Sequence, residues 1–303
     1  MCDIWKERSS ASLSAADLAA LLPDLARLGT ERVVLSGGEP LMHPDLFALV
    51  RPLREAGLGV TLLSSGLLLG RFAEEIARWV DDVVVSLDGP REAHDAIRRV
   101  PRAFEKLAEG VAAVKAAGPA VTVSGRCTVQ RGNLPHLRAT VAAAREIGLS
   151  RISFLAADVT SEAFNRPGGW SDEERAAVLP ARADLPALAA EIDALEREQA
   201  AAFATGFVAE SPEKLRERLL AHFAALLCEG PFPASRCNAP WVSAVVEADG
   251  TVRPCFFHSA YGNLRESSLP ALLNGERALS FRRSLDVATD PTCLRCTCRL
   301  NLR

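Results

Sequence analysis

The sequence predicts an α/β fold, a parallel sheet followed by a helical bridge and a small cysteine-rich domain, and three observations carry that reading. Between residues 14 and 156, amphipathic helical stretches alternate with short β-branched runs, the pattern of parallel strands joined by helices. From 171 to about 227 only helical periodicity remains. Five of the eight cysteines, Cys237, Cys255, Cys293, Cys296 and Cys298, then crowd into the last 67 residues.

Ser14 and Asp17 form an S-x-x-D cap for a helix that runs to about residue 28, where Gly29 stops it. A strand over 32–36, a helix over 45–56, a strand over 59–64, a helix over 70–80 and a strand over 82–87 come next. Phe104, Leu107, Val111 and Val114 share one helical face, closed by Gly118 and Pro119. A strand over 121–129, a helix over 134–147 and a strand over 151–155 complete five strands, each separated from the next by one helix. Because the helix at Ser14 precedes the first of them, the series is expected to have its opening strand upstream of Met1. Residues 157–168 read as a loop, Ser171 with Glu174 as a capping box, and Ser211 with Pro212 as a further helix start. The stretch WVSAVVEADGTVRPC at 241–255 reads as strand, turn and strand, with Asp249 and Gly250 suited to a tight hairpin. The expected divisions are 1–157, 158–236 and 237–303.

A chain of 303 residues, 49 % hydrophobic and 24 % charged, can bury one substantial core beside a smaller module. A net charge of -3 favours neither nucleic acid nor an anionic membrane as partner. No apolar run approaches the roughly 20 residues that span a bilayer. The first ten residues have no signal-peptide core, so a cytoplasmic location is expected. There thiols stay reduced, and the cysteines read as ligands rather than disulfides. Isolated Cys127 and Cys228 read instead as small hydrophobes.

In such a sheet, ligands sit beyond the carboxyl ends of the strands. The first strand runs into Ser36, Gly37, Gly38, Glu39 and Pro40, where two glycines allow close backbone approach and a carboxylate is stiffened by proline, an arrangement suited to an ammonium group. The next strand ends in Ser64, Ser65 and Gly66, and the third in Ser86, Leu87, Asp88, Gly89 and Pro90. Singly these are cap and turn formers; on one rim they suit a ribose and a carboxylate. Arg126 is an anion contact if it faces inward. In the tail, a hairpin with Cys237 and Cys255 and a distant C-x2-C at Cys293 and Cys296 can surround a metal, with zinc and iron–sulfur both open to thiolates. Cys298 either replaces Cys296 or is a spare thiol. His258, three residues after Cys255, reads as a loop histidine, and His43 and His94 as turn and helix-start residues.

With MCDIWK at 1–6, LSGGEP at 35–40, VSLDGP at 85–90, HDAIR at 94–98 and the cysteine-rich tail, the sequence resembles the radical S-adenosylmethionine (SAM) superfamily over essentially its whole length. The resemblance implies a partial (β/α)6 TIM-like barrel lacking its first strand. It also implies a catalytic [4Fe–4S] cluster with Cys2 as the third cysteine of its C-x3-C-x2-C loop, the other two falling before Met1. The chain is therefore expected to be N-terminally truncated and inactive as it stands. By the same resemblance Gly37, Gly38 and Glu39 hold the SAM amino group, Ser86 and Asp88 lie by the ribose, and Arg126 by the carboxylate, with Pro40 and Ser65 completing the expected cofactor-binding set. The tail resembles a SPASM or shortened twitch domain, which implies one auxiliary [4Fe–4S] cluster on Cys237, Cys255, Cys293 and Cys296. The implied activity is reductive cleavage of SAM to a 5′-deoxyadenosyl radical that abstracts hydrogen from a peptide or small-molecule substrate. Electrons would come from an external donor such as flavodoxin or ferredoxin. The alternatives are a zinc- or iron–sulfur-binding protein without catalysis and an electron-transfer protein. No residue is singled out as catalytic.

Overall fold

The computed structural model describes residues 3–6 and 11–301. Strands β1 (Arg32–Leu35), β2 (Gly59–Ser64), β3 (Asp82–Ser86), β4 (Thr122–Val129) and β5 (Ile152–Ala156) form one sheet of five, in sequential order and parallel throughout. Strand alternation sorts their side chains into two faces. Val60, Leu62, Val83, Val85, Val123, Cys127, Ile152 and Phe154 point toward the helices and are buried. On the other face Val34, Ser86 and Arg126 keep exposed surface, so the concave side of the sheet is left open.

The outer face is covered by α1 (Ala15–Arg27), α2 (Leu46–Glu55), α3 (Ala73–Trp79), α4 (Arg91–Arg98), α5 (Ala103–Ala117) and α6 (Leu137–Glu146). The expected capping box at Ser14 and Asp17 forms, and Gly29 follows the helix with φ of 64°. One crossover differs from the single helix expected of it. Between β3 and β4 the chain makes both α4 and α5, because Arg99 and Arg102 adopt left-handed φ values of 55° and 57° around Pro101. Asp95 then caps the second helix, accepting the Phe104 amide at 2.8 Å.

The bridge contains α7 (Asp172–Val178), capped by Ser171 and Glu174, and α8 (Leu185–Glu198). Its helical periodicity hides one extended segment. Val208 makes a parallel bridge to Ile152, with Ile152 N donating to Phe207 O at 2.7 Å and Ala209 N to Ile152 O at 2.9 Å. Too short to show a period of two, this segment extends the edge of the sheet beyond β5. The chain then enters a helical stretch over 212–226, started by Ser211 as expected.

In the C-terminal part, β6 (Val245–Val246) and β7 (Thr251–Arg253) form the expected hairpin, and β8 (Gly262–Asn263) adds a third antiparallel strand. Gly250 has φ of 89°, and a Cβ there would lie 2.9 Å from Asn263 Oδ1, so the turn requires glycine. Ala239–Val242 is one turn of helix, not the start of a strand, with Pro240 at its first turn. A small core of Val252, Tyr261, Leu269 and Ala278 packs against Leu21, Leu25 and Leu28 at α1, and Asp24 of that helix accepts the Leu269 amide at 3.2 Å. Among the described residues no helix is long and apolar enough to cross a membrane.

Two buried histidines make the fold acid-sensitive. Burial pulls His94 and His222 from 6.5 down to about 4. Both are neutral when folded, so between those values the unfolded chain binds the extra protons, and stability present above pH 6.5 is lost as pH falls toward 4. The loss amounts to about 3 kcal/mol for each imidazole. Urea unfolding at pH 7 and pH 4.5 should show the drop, and His222→Gln should make it smaller.

Candidate functional site

The open ends of β1 and β2 share one carboxylate. Gly37 and Gly38, with φ of 99° and 67°, turn the chain after β1 so that Glu39 folds back over the rim. Its oxygens accept the Ser64 hydroxyl at 2.9 Å, the Ser65 amide at 2.8 Å and the Leu41 amide at 3.2 Å, with the Ser65 hydroxyl also in contact. These donors fix a half-buried negative charge in one orientation, which suits a ligand cation better than a mobile surface glutamate would. Pro40 is buried behind it.

The ribose contact expected of Asp88 does not fit its placement. The side chain has no exposed surface. Its Oδ1 accepts the Thr128 amide at 3.1 Å, and Oδ2 lies 2.6 Å from the Arg98 guanidinium as a charge contact outside hydrogen-bond geometry. The HDAIR stretch supplies the surrounding frame. His94 Nδ1 accepts the Asp88 amide at 3.1 Å, and Asn133 Nδ2 donates to the Asp88 carbonyl at 2.9 Å. Asp88 therefore holds the turn after β3 from behind. Ser86, half-buried and in register with Arg126, stays on the open face.

Arg126 is exposed on that face. Its charge reaches two groups that the sequence did not place beside it, Glu210 and Cys298. Glu210 follows the Val208 bridge and accepts the Phe154 amide at 2.9 Å, and burial raises its carboxyl above the usual range. The Cys298 thiol is raised by desolvation, offset in part by the charge of Arg126. Of the raised tail cysteines, Cys298 alone feels the charge of Arg126.

The other thiols lie close enough to feel one another. Burial, followed by Asp290, pushes Cys293 up to about 12, with smaller contributions from Cys255 and Cys237. Cys255 and Cys296 are also raised by burial, while backbone amides of Phe257 and His258 at Cys255 work the other way. Among the described residues one group of three ligand atoms lies within 4.8 Å, those of His258, Asp290 and Cys293. A cubane cluster is bound through four thiolates at separate irons, and the donor chemistry of Cys237, Cys255, Cys293 and Cys296 suits it. His258 belongs here too, with Nε2 at 3.3 Å from Cys293 Sγ. Periodicity carries no sign of that contact between residues 35 positions apart.

Cys2 lies outside the described residues, but the chain just after it is anchored. Asp3 N donates to the Phe164 carbonyl at 3.0 Å, Trp170 Nε1 donates to the Asp3 carboxylate at 2.8 Å, and Asn165 Nδ2 donates to the Asp3 carbonyl at 3.2 Å. Ile4 would be 3.5 Å from a Cβ on Gly38, so this segment abuts the Glu39 turn.

Comparison with known proteins defines the class that this rim and thiol set belong to. The profile of the Radical SAM superfamily matches residues 1–149, and that of the SPASM iron–sulfur cluster-binding domain matches residues 237–297. The PqqA peptide cyclase of Ruegeria pomeroyi is 30 % identical over 294 residues, 94 % of this chain and 71 % of the relative. An AdoMet-dependent heme synthase of Methanosarcina barkeri is 34 % identical, but the match spans only 48 % of this chain and 44 % of that protein. In fold the chain is similar to anSMEcpe with bound AdoMet, with a TM-score of 0.67 at 17 % identity over 95 % of this chain and 80 % of that one. It is also similar to Streptococcus suis SuiB bound to the precursor peptide SuiA, with a TM-score of 0.59 at 15 % identity over 98 % and 68 % of the two chains. The chain belongs to the radical SAM superfamily and carries a SPASM iron–sulfur domain, and its relatives are enzymes.

The placement of Asp88 separates scaffold from site. Asp88→Asn leaves Arg98 without its buried counter-charge and should lower unfolding stability by about 2–4 kcal/mol. Ser86→Ala, at the open face, should change it by less than about 1 kcal/mol. Urea unfolding of both variants checks the contrast.

Proposed function

We propose that this chain is the SAM-binding and auxiliary-cluster part of an enzyme that modifies a peptide by radical chemistry. The observation that carries the reading is the carboxylate of Glu39, fixed by the Ser64 and Ser65 donors at the ends of β1 and β2, on the same sheet whose open face carries the exposed guanidinium of Arg126. With SAM and its catalytic cluster bound, the chemistry supplied is one-electron cleavage to methionine and a 5′-deoxyadenosyl radical that abstracts hydrogen from the substrate. The chain's own residues bind and orient. Glu39 takes the SAM amino group, with its carboxylate already aligned by the Ser64 and Ser65 donors. Arg126 takes the SAM carboxylate, and Ser65 and Ser86 lie along the ribose. Cys237, Cys255, Cys293 and Cys296 hold one auxiliary [4Fe–4S] cluster.

A peptide is favoured over a small molecule because the relative matched over nearly the whole chain is a peptide cyclase. The fold neighbours include one bound to a precursor peptide, which supports the same choice. The electron donor would be a small redox protein such as flavodoxin or ferredoxin, in the cytoplasm. The match of residues 237–297 to an iron–sulfur cluster-binding domain supports iron–sulfur over a zinc-stabilised binding protein without catalysis.

Two measurements test the reading. Anaerobically purified protein should contain iron and acid-labile sulfide, and Cys255→Ala should lose the auxiliary share of both. Stoichiometric zinc without sulfide would overturn the cluster assignment. Calorimetric titration of the reconstituted protein should show SAM binding that Glu39→Gln weakens about 10- to 100-fold, the loss of one charge-assisted contact. Equal affinity in the two proteins would remove Glu39 from the site.

A further inference from the structure

We infer that His258 donates a hydrogen bond from Nε2 to the Cys293 sulfur and thereby raises the reduction potential of the auxiliary cluster, tuning it without ligating it. The inference rests on the cluster reading above. The ring is only 11 % exposed, and its Nε2 is 3.3 Å from Cys293 Sγ. It is held by an edge contact with Phe281, with ring centroids 4.9 Å apart, and Phe281 packs in turn on Tyr261 at 6.0 Å. The His258 carbonyl accepts Arg253 Nη1 at 3.3 Å, which fixes the backbone as well.

The position of this histidine in the chain is what gives it leverage. It lies in the loop after Cys255, whose amides at Phe257 and His258 face the Cys255 sulfur, while its side chain reaches across to Cys293. One loop thus supplies donors to sulfurs from both halves of the ligand set. A donor at a cluster sulfur withdraws electron density and favours the reduced state, which carries one more negative charge. Asp290 acts in the opposite sense. Its Oδ1 accepts the Cys293 amide at 2.9 Å and lies 3.8 Å from His258 Nε2, placing a carboxylate beside the same thiol. His258 stands as the counterweight to that charge.

Ligation by His258 is disfavoured by the same distance. In a cubane each iron takes one protein ligand, and two ligand atoms 3.3 Å apart cannot reach separate irons. If Cys293 binds, His258 is left to donate.

The test is an anaerobic redox titration followed by electron paramagnetic resonance, in a Cys2→Ala background so that only the auxiliary cluster is observed, with iron and sulfide assayed on the same samples. His258→Phe should retain iron and sulfide. Its potential should shift negative enough to lower the reduced-to-oxidised ratio at the parent midpoint about tenfold, about 59 mV for one electron. His258→Gln keeps a donor at similar reach and should recover part of the shift. An unchanged potential in His258→Phe overturns the inference, and so do equal shifts in both variants, which would mark a packing effect. Loss of iron in His258→Phe would make the residue a ligand and overturn it too. Absence of sulfide from the parent would instead remove the cluster reading itself.

Discussion

Arg166 has a guanidinium with no exposed surface, and a charge taken that far from water persists only where every donor is met. It pairs with Asp158, donates to the carbonyls of Asp158 at 2.7 Å and Ala163 at 2.8 Å, and stacks on Trp170 and Phe164 at 4.7 and 5.6 Å. The two aromatics carry its order outward. Trp170 and the Phe164 carbonyl hold Asp3, while the Phe164 ring packs on Phe256 and Phe257, the residues directly after Cys255. The segment that follows Cys2 and the loop that follows Cys255 are therefore positioned by one satisfied charge.

The three carboxylates around the mouth show how burial, rather than residue type, assigns a role. Glu39 and Asp88 both follow a strand in a glycine-containing turn, and in the sequence they look equivalent. Asp88 is sealed behind its turn with Arg98 as counter-ion, so its negative charge is spent within the fold. Glu39 is half-buried and bound by hydroxyl and amide donors, which orient the charge without neutralising it. Glu210 sits between these cases, since desolvation raises its carboxyl while Arg218 and Arg126 offset only part of that cost.

This contrast also explains what could be read ahead of the structure. The five strands and the caps at Ser14, Ser171 and Ser211 were legible because each depends on neighbours a few residues away. The second crossover helix was not, because left-handed φ at two arginines has no compositional mark. The Val208 segment was missed for a different reason: its strand character comes from pairing with Ile152, not from its own residues. Within the site, Gly37 to Glu39 stood out as a local pattern. The His258 to Cys293 contact and the turn of Asp88 toward Arg98 are tertiary, and a single sequence carries no distance information between such residues.

The bridge determines whether barrel and tail form one site. Arg299, with a side chain 5 % exposed, anchors the end of the tail to it, donating to Glu217 at 3.0 Å and to the carbonyls of Ala234 at 3.2 Å and Pro233 at 3.1 Å. The same guanidinium reaches the Leu294 carbonyl at 3.4 Å, so the turn carrying Cys293 and Cys296 is pinned to the helical stretch that begins at Ser211. That stretch follows Glu210 directly, and Glu210 is bonded to the end of β5. A continuous set of contacts thus runs from the sheet through the bridge to the thiols. It makes the placement of the tail thiols relative to the sheet a property of the fold rather than of a flexible tail, which an independent cysteine-rich module on a loose linker could not achieve.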